Sequence, residues 1–497
     1  MQLALKLRPE SNTTLQNQLF AAIREQILQG KLKAGAVMPA TRVLGEQLSV
    51  SRNTVVLTYE RLVAEGYLES RPTIGTFVTS ALPENALFLK KFSDSGSGFA
   101  DQDAGERLTA RHPILFQGRA QKVVNPNQHK LSADFWVGRP DPHSFPLKSW
   151  RRRLLHQLAT AGANLTTYND PGGIWELRKA IADHLGPARG IMATPEQIVI
   201  VSGSQGALNL VARLLVNKGT NVVIECPSYQ GAAFLFESFG ANLIPVRVDK
   251  HGLNTKKLPR ERADLIFVTP SHQYPMGATL PLHRRVELLD WAWETGAYVL
   301  EDDYDSDFRY QGSPLSALFG LDQHGCVIYM GTFSKSIGPG IRLGYLVLPH
   351  DLVEPARTAK ALLDNGHAWL DQVTLADFIS SGSYARHLRR IRHTYWKRRD
   401  CLVDALQQHF GDVRLTGAEG GMHIVWHLPN NLPTAIEVQT IAEKAGVGVY
   451  ALEAGAAICL HGNECAQRAL IFGYSSLTES TIQKGITLLS EALKAST

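Results

Sequence analysis

From about residue 131 onward, short apolar runs recur at 197–201, 221–225, 265–269, 298–302, 327–330 and 344–347, with helical stretches between them. Each run is too short for a packed helix and too uniformly apolar for a strand with one wet face. Alternation of such runs with helices predicts βαβ units and a mostly parallel central sheet covered on both sides. The tail from about residue 351 carries long basic helices. Short strands are expected there near 421–426, 446–450 and 469–474, forming a smaller C-terminal α+β domain. At 497 residues the chain has room for two or three domains. No internal repeat is visible.

Within the alternating region, GTFSKSIGPGIR (residues 331–342) directly follows the strand-like run VIYM. Lys335 stands between two serines, with Arg342 seven residues on. That pattern suits an amine that forms a Schiff base with an aldehyde cofactor bearing a phosphate, namely pyridoxal 5′-phosphate. Such a cofactor acts as an electron sink only with its ring nitrogen protonated, which calls for a buried carboxylate beside it. Asp302 ends a strand in VLEDDYDSDFRY, and Tyr304 lies within reach of the ring hydroxyl. The phosphate needs backbone donors at a helix N-terminus together with hydroxyls and a cation. VSGSQGALNLVARLL supplies Ser204 and Gln205 where a strand gives way to a helix, and Ser334 and Arg342 complete the cradle. Tyr229, in ECPSYQG, is aromatic just past a strand and suits stacking on the ring, although an isolated Tyr there more often belongs to a core.

The acidic run has a rival reading. Asp303, Asp305 and Asp307 mimic the start of a calcium loop. Phe308 occupies the position that needs Gly, and Pro314 the position of the bidentate Glu, so no metal is expected.

The first 80 residues have a different texture. Leu15, Leu19, Ile23 and Ile27 recur at helical spacing over 14–32, and a second helix is expected over 40–48. Ser51 is the N-cap of a third, in which Val55, Tyr59 and Leu62 face one way and Thr54, Thr58 and Arg61 the other, with Gly66 as the stop. A hairpin follows, with its turn at Arg71-Pro72-Thr73 and Gly75 opening the second arm. This is the pattern of a winged helix-turn-helix. Arg52, Asn53 and Thr54 then sit where base edges are read. Arg42 reaches phosphate or base, and Arg71 with Gly75 approaches the minor groove. Residues 1–80 carry nine Lys/Arg against six Asp/Glu, a mild positive balance compatible with DNA.

Residues 81–130 lack periodicity and include the Ser/Gly/Asp-rich FSDSGSGFADQDAGER. A linker and an ordered arm docked through 87–92 are both open readings. The domain expectation is thus 1–80 DNA-binding, 81–130 linker and 131–497 effector domain. The five cysteines, at 226, 326, 401, 459 and 465, form no C-x-x-C pair. They point to neither structural zinc nor a disulfide framework, and to a reducing cytoplasm. No apolar run nears the length of a membrane span.

PATRVLGEQLSVSRNTVVLTYERLVAEGYLESRPTIGTFV resembles the winged domain of GntR-type repressors. TPSHQYPMG, EDDYDSDFRY and YMGTFSKSIGPGIRLGY resemble fold-type I aminotransferases. Joined in one chain, the two resemble the MocR family of bacterial transcriptional regulators, over nearly everything but the linker. The resemblance implies Lys335 as the Schiff-base lysine, Asp302 as the pyridinium partner and Tyr304 as the ligand of the ring hydroxyl. It implies Ser204, Gln205, Ser334 and Arg342 as phosphate ligands and Tyr229 as the stacking ring. Tyr168, in YNDPGG, becomes the residue that reaches across a homodimer to the phosphate. One departure from working aminotransferases stands out: Tyr274 occupies the place of the usual Asn before P-T-G. PSYQG and AGVGVY carry no Arg to clamp a carboxylate, leaving Arg468 or another distant Arg to fold in. The expectation is a regulator of double-stranded DNA targets that senses a small amino compound or pyridoxal phosphate itself. The alternative is a competent aminotransferase that also binds DNA. Sign of regulation, target and effector are not written in the sequence.

Overall fold

The computed structural model describes residues 13–72, 74–80, 130–310, 315–460 and 467–496, with residues 7, 10, 116, 127 and 128. The chain divides into two compact units, Met1–Ile114 and Leu115–Thr497. The segment expected to link them, 81–130, lies outside the described residues apart from 116, 127, 128 and 130, and so does its stretch 87–92.

In the first unit, helices α1 (Leu15–Leu28), α2 (Thr41–Leu48) and α3 (Arg52–Ala64) precede the antiparallel strands β1 (Leu68–Arg71) and β2 (Gly75–Val78). Leu19, Ile23 and Ile27 of α1 pack with Leu44 of α2, Val55, Tyr59 and Leu62 of α3, and Leu68 and Val78 of the hairpin. The Ser51 hydroxyl accepts from Thr54 N at 3.0 Å, satisfying one of the donors that a helix start leaves free. The α2–α3 turn is tight. A Cβ at Gly45 would stand 3.1 Å from Val50 O, so a side chain here would have to push the turn back by a few tenths of an ångström. One expectation fails here. Thr58 belongs to the buried face, not the exposed one. At 3.6 residues per turn it lies beside Leu62 at the edge of the apolar stripe, and its hydroxyl avoids a desolvation penalty by donating to Thr54 O at 2.7 Å. The last residue of the predicted turn, Thr73, lies outside the described residues.

The second unit is built on an eight-stranded sheet. Its members are β3 (Ile198–Val201), β4 (Asn221–Cys226), β5 (Asn242–Asp249), β6 (Gly252–Leu253), β7 (Leu265–Val268), β8 (Tyr298–Asp303), β9 (Val327–Thr332) and β10 (Gly344–Val347). The order is β3-β10-β9-β8-β7-β4-β5-β6. The pairs β9–β8, β8–β7, β7–β4 and β4–β5 are parallel. β10 runs against both its neighbours, and β6 against β5. Every residue of β3, β7 and β10 is buried, as continuous apolar strands covered on both faces must be.

β3 starts one residue later than its apolar run predicts, because Gln197 closes a capping box with Thr194 on a short 3-10 turn. β5 and β6 escaped the sequence reading. β5 carries Pro245 in its apolar half and alternates polar with apolar residues only from Val246 to Asp249, and its outer neighbour β6 covers only Val248 and Asp249. It has the pattern of a near-edge strand.

A four-stranded antiparallel sheet forms the smaller domain: β11 (Arg414–Thr416), β12 (His423–His427), β13 (Tyr450–Ala451) and β14 (Ala469–Gly473), in the order β11-β12-β14-β13. The strand expected over 446–450 is instead two. Val447–Gly448 pairs in parallel with Ala133–Asp134, and the chain then changes sheets at Val449. Among the described residues no helix is long and apolar enough to cross a membrane.

Candidate functional site

Parallel strands of an open sheet end on one side, and the turns beyond them face a common space. Ser204 follows β3, Tyr229 follows β4, Thr269 and Tyr274 follow β7, Asp302 and Tyr304 end β8, and Lys335 follows β9. All of these line one cavity of about 450 Å³.

The Lys335 ammonium donates to Gly138 O at 2.7 Å. Desolvation lowers its pKa, with Asp305 and Asp302 opposing the shift in part. The amine is thereby brought nearer its neutral, nucleophilic form. Gly138 has φ +70°, which a side chain would strain, and a Cβ there would stand 2.7 Å from Nζ and push the tip of the lysine aside. Burial, then Asp303 and Asp305, push the Asp302 carboxyl well above the usual carboxylate range. Its Oδ1 is buried with no hydrogen-bond partner. A buried carboxyl left unmatched in this way fits a cationic N–H arriving from a ligand. The site residues therefore suit a protonated ring nitrogen held beside an anchoring amine.

Helix α4 (Gly203–Leu215) opens at the edge of this space, with Ser204 and Gln205 in its first turn. Arg342, in the left-handed region at φ 51°, places its guanidinium there and donates to Ser202 O at 2.7 Å. A cation, free helix-start amides and a serine hydroxyl make an anion cradle. Ser334 lies at the turn beyond β9, its hydroxyl accepting from Thr332 Oγ1 at 3.0 Å. Gln205 Nε2 donates to the Tyr229 hydroxyl at 3.0 Å, linking cradle and aromatic wall. Tyr304 lines the cavity, but its hydroxyl donates to His272 O at 2.9 Å. Tyr168 is 89% exposed and is not part of the cavity wall within one chain.

The acidic run separates onto different partners instead of converging. Asp303 meets Arg189 Nε at 2.7 Å and the Tyr329 hydroxyl at 2.5 Å. Asp305 meets His272 Nδ1 at 2.9 Å, and Asp307 accepts from the Tyr384 hydroxyl at 3.1 Å. His272, Asp305 and His423 do bring three potential ligand atoms within 4.8 Å of one another. The His272–Asp305 hydrogen bond already occupies the facing atoms.

Several wall residues were not singled out from the sequence. Asp305, His423, Trp136, Thr269 and Arg139 all face the cavity. No local motif marks Trp136 or Arg139, which arrive from a stretch far from the lysine in sequence. Arg139 is paired with Asp134 at 3.6 Å. Arg468 does not fold in. Its guanidinium donates to Leu428 O at 3.2 Å and Leu432 O at 2.8 Å, outside the cavity wall. Tyr274, in the place of the usual Asn, turns its hydroxyl to Gly455 O.

On the winged unit, Arg52 and Asn53 are exposed at the start of α3, with Thr54 half-buried beside them. Arg42 is exposed and meets Glu46 at 3.2 Å, a pair that water keeps weak. Arg71 lies on β1 over the Phe77 ring at 4.7 Å, and Gly75 opens β2 with φ +133°.

Residues 15–78 match the family described as bacterial regulatory proteins, gntR family, and residues 136–483 match aminotransferase class I and II. The latter family binds pyridoxal phosphate. The probable rhizopine catabolism regulatory protein MocR of Rhizobium meliloti is 35% identical, over 99% of this chain and 96% of that protein. The pyridoxine biosynthesis transcriptional regulator PdxR of Corynebacterium glutamicum is 31% identical, over 99% and 98%. Among solved structures, the kynurenine aminotransferase of Pyrococcus horikoshii superposes with a TM-score of 0.68 at 29% identity, covering 74% of this chain and 92% of that one.

Proposed function

Because the chain belongs to the MocR family of transcriptional regulators, a GntR-type DNA-binding head joined to an aminotransferase-like domain, we propose that it senses pyridoxal 5′-phosphate, or a small amino compound that meets it, in the cavity around Lys335. The observation that carries this reading is a desolvated amine, Lys335, sharing a cavity with Asp302, whose buried Oδ1 has no hydrogen-bond partner. When bound, the cofactor supplies an electrophilic aldehyde and an electron-withdrawing ring.

The chain's own residues divide the work of holding it. Lys335 presents the anchoring amine. Asp302 would accept the ring N–H, which would give its buried Oδ1 the hydrogen-bond partner it lacks. Tyr229 offers a ring face, and Tyr304 lies in the wall beside the ring hydroxyl. Ser204, Gln205, Ser334 and Arg342 hold the phosphate at the start of α4. Arg139 is the cation of the wall best placed for an acidic group on the effector. Tyr274 commits its hydroxyl to Gly455 O, so the ring hydroxyl loses the donor that an Asn supplies. That substitution favours sensing over turnover.

A small amine bound beside Lys335 would favour whichever arrangement of the protein binds it better, and the head's affinity for DNA would follow. The names of the two similar regulators support vitamin B6 supply and catabolism of an amine as fields of control.

Promoter binding by cofactor-free protein, by protein with pyridoxal phosphate, and by protein with candidate amines tests the reading. A change of roughly 5- to 150-fold between two of these states is expected for an allosteric coupling. Borohydride should lock the cofactor onto wild-type protein and not onto Lys335→Ala. Multiple-turnover transamination on the order of 1 s⁻¹ or faster would establish the alternative, an enzyme that also binds DNA.

A further inference from the structure

Cys226 is the last residue of β4, and it is 3% exposed. Cys459 lies 233 residues further along the chain and is half-buried. It follows the two-residue strand Ala457–Ile458, which pairs antiparallel with Ser228–Tyr229 just beyond Cys226. The register sets Ile458 opposite Ser228, so the next step along each arm brings Cys459 level with Pro227, the residue directly after Cys226. The two sulfurs stand 3.4 Å apart. Two thiols at that separation need to close by about 1.4 Å to reach disulfide bonding distance.

The geometry points to Cys226 and Cys459 as a dithiol site that a two-electron oxidant, a peroxide, converts to an intramolecular disulfide. The chemistry balances in two steps. The Cys459 thiolate, the more accessible of the two, attacks a peroxide oxygen, giving a sulfenic acid and releasing water. The Cys226 sulfur then attacks the sulfenic sulfur and expels a second water. Two thiols and one hydrogen peroxide become one disulfide and two waters, and a dithiol reductant reverses the change.

The other described cysteines are less suited. Burial and the neighbouring Asp322 push the Cys326 thiol up to about 12, away from the reactive thiolate. Cys401 is raised as well, by burial and by Glu479 and Asp404. Among the described residues neither has a second sulfur beside it.

The bond would be placed with a consequence. Gly455 and Ala456 line the cavity just before Cys459. Ala456 O accepts from Gln230 N at 3.0 Å, and Gly455 O accepts from the Tyr274 hydroxyl. A covalent tie at Cys226–Cys459 fastens that wall segment to the end of β4, three residues before Tyr229.

The test uses the full-length protein as purified, treated with hydrogen peroxide under native conditions and mapped by mass spectrometry after alkylation. One disulfide joining the peptides of Cys226 and Cys459 is expected, reversed by dithiothreitol. The melting temperature should rise in the oxidised form, because the bond closes a long loop in the unfolded chain. Cys459→Ser, a near-isosteric change at a half-buried position, should lose both the bond and the rise. A bond from either cysteine to Cys465 or Cys326 would overturn the assignment. So would both thiols remaining free while Cys401 oxidises, or a Cys226–Cys459 bond that leaves the melting temperature unchanged or lower.

Discussion

Glu225 is buried beneath the cavity floor, where its Oε2 accepts from Thr269 N at 3.1 Å, Thr269 Oγ1 at 2.6 Å and Gln273 Nε2 at 3.2 Å. Those donors do not repay desolvation, and the carboxyl is raised from 4.5 to about 7. Because the folded value lies above the unfolded one, this group's share of stability is whole below about pH 4.5. It is lost as the pH rises through about 7. The loss amounts to about 3 kcal/mol. Melting temperature should therefore fall between pH 5 and 8, and Glu225→Gln should flatten the fall. Glu301, raised to about 7 for the same reason, adds to the slope in the same window. An identical pH profile for wild type and Glu225→Gln would count against this account. Neither glutamate stood out in the sequence. Each sits in an apolar strand run, where the string gives no sign that a carboxylate has lost its water.

At the scale of elements, the recognition helix was the most legible part of the chain. The N-cap Ser51, the apolar stripe and the stop at Gly66 are local signals, set by which donors are free and which face is oily. Lys335, Asp302 and Ser204 could be read for a related reason: each sits at the end of a recognisable strand. Trp136, Arg139 and His423 could not, because only the packing of distant segments brings them to the cavity. Thr58 was misassigned because a single polar residue within an apolar stripe is compatible with either face until its hydroxyl finds a carbonyl. Arg52 leads α3 with an exposed side chain. Its loss should cost roughly 1–3 kcal/mol of promoter discrimination if it reads a guanine. Arg52→Ala, measured by DNA binding at fixed salt, should weaken promoter affinity and leave the cofactor spectrum as it was. Equal promoter affinity in both proteins would remove Arg52 from the reading surface.

For the whole molecule, the expected assembly is a homodimer with shared cofactor sites. Leu147, Leu155, Leu158 and Leu165 are exposed large apolar residues on the stretch leading to Tyr168. Exposed apolar surface of this kind is commonly covered by another chain. Sedimentation at micromolar concentration should give a dimer, and Tyr168→Phe should weaken cofactor retention while leaving the dimer intact. A monomer with cofactor fully bound would refute the arrangement.

β9 and β10 are the two arms of a single hairpin within an otherwise largely parallel sheet. Lys335 stands on its outgoing side and Arg342 on its return, where the guanidinium reaches the start of α4. The grip on an aldehyde and the grip on an anion thus belong to one lever, pivoted on the same pair of strands. On the proposed function, a ligand that took the lysine's place would slacken one end while the other stayed fastened, and the protein would respond to what replaced its own amine as well as to the presence of the cofactor.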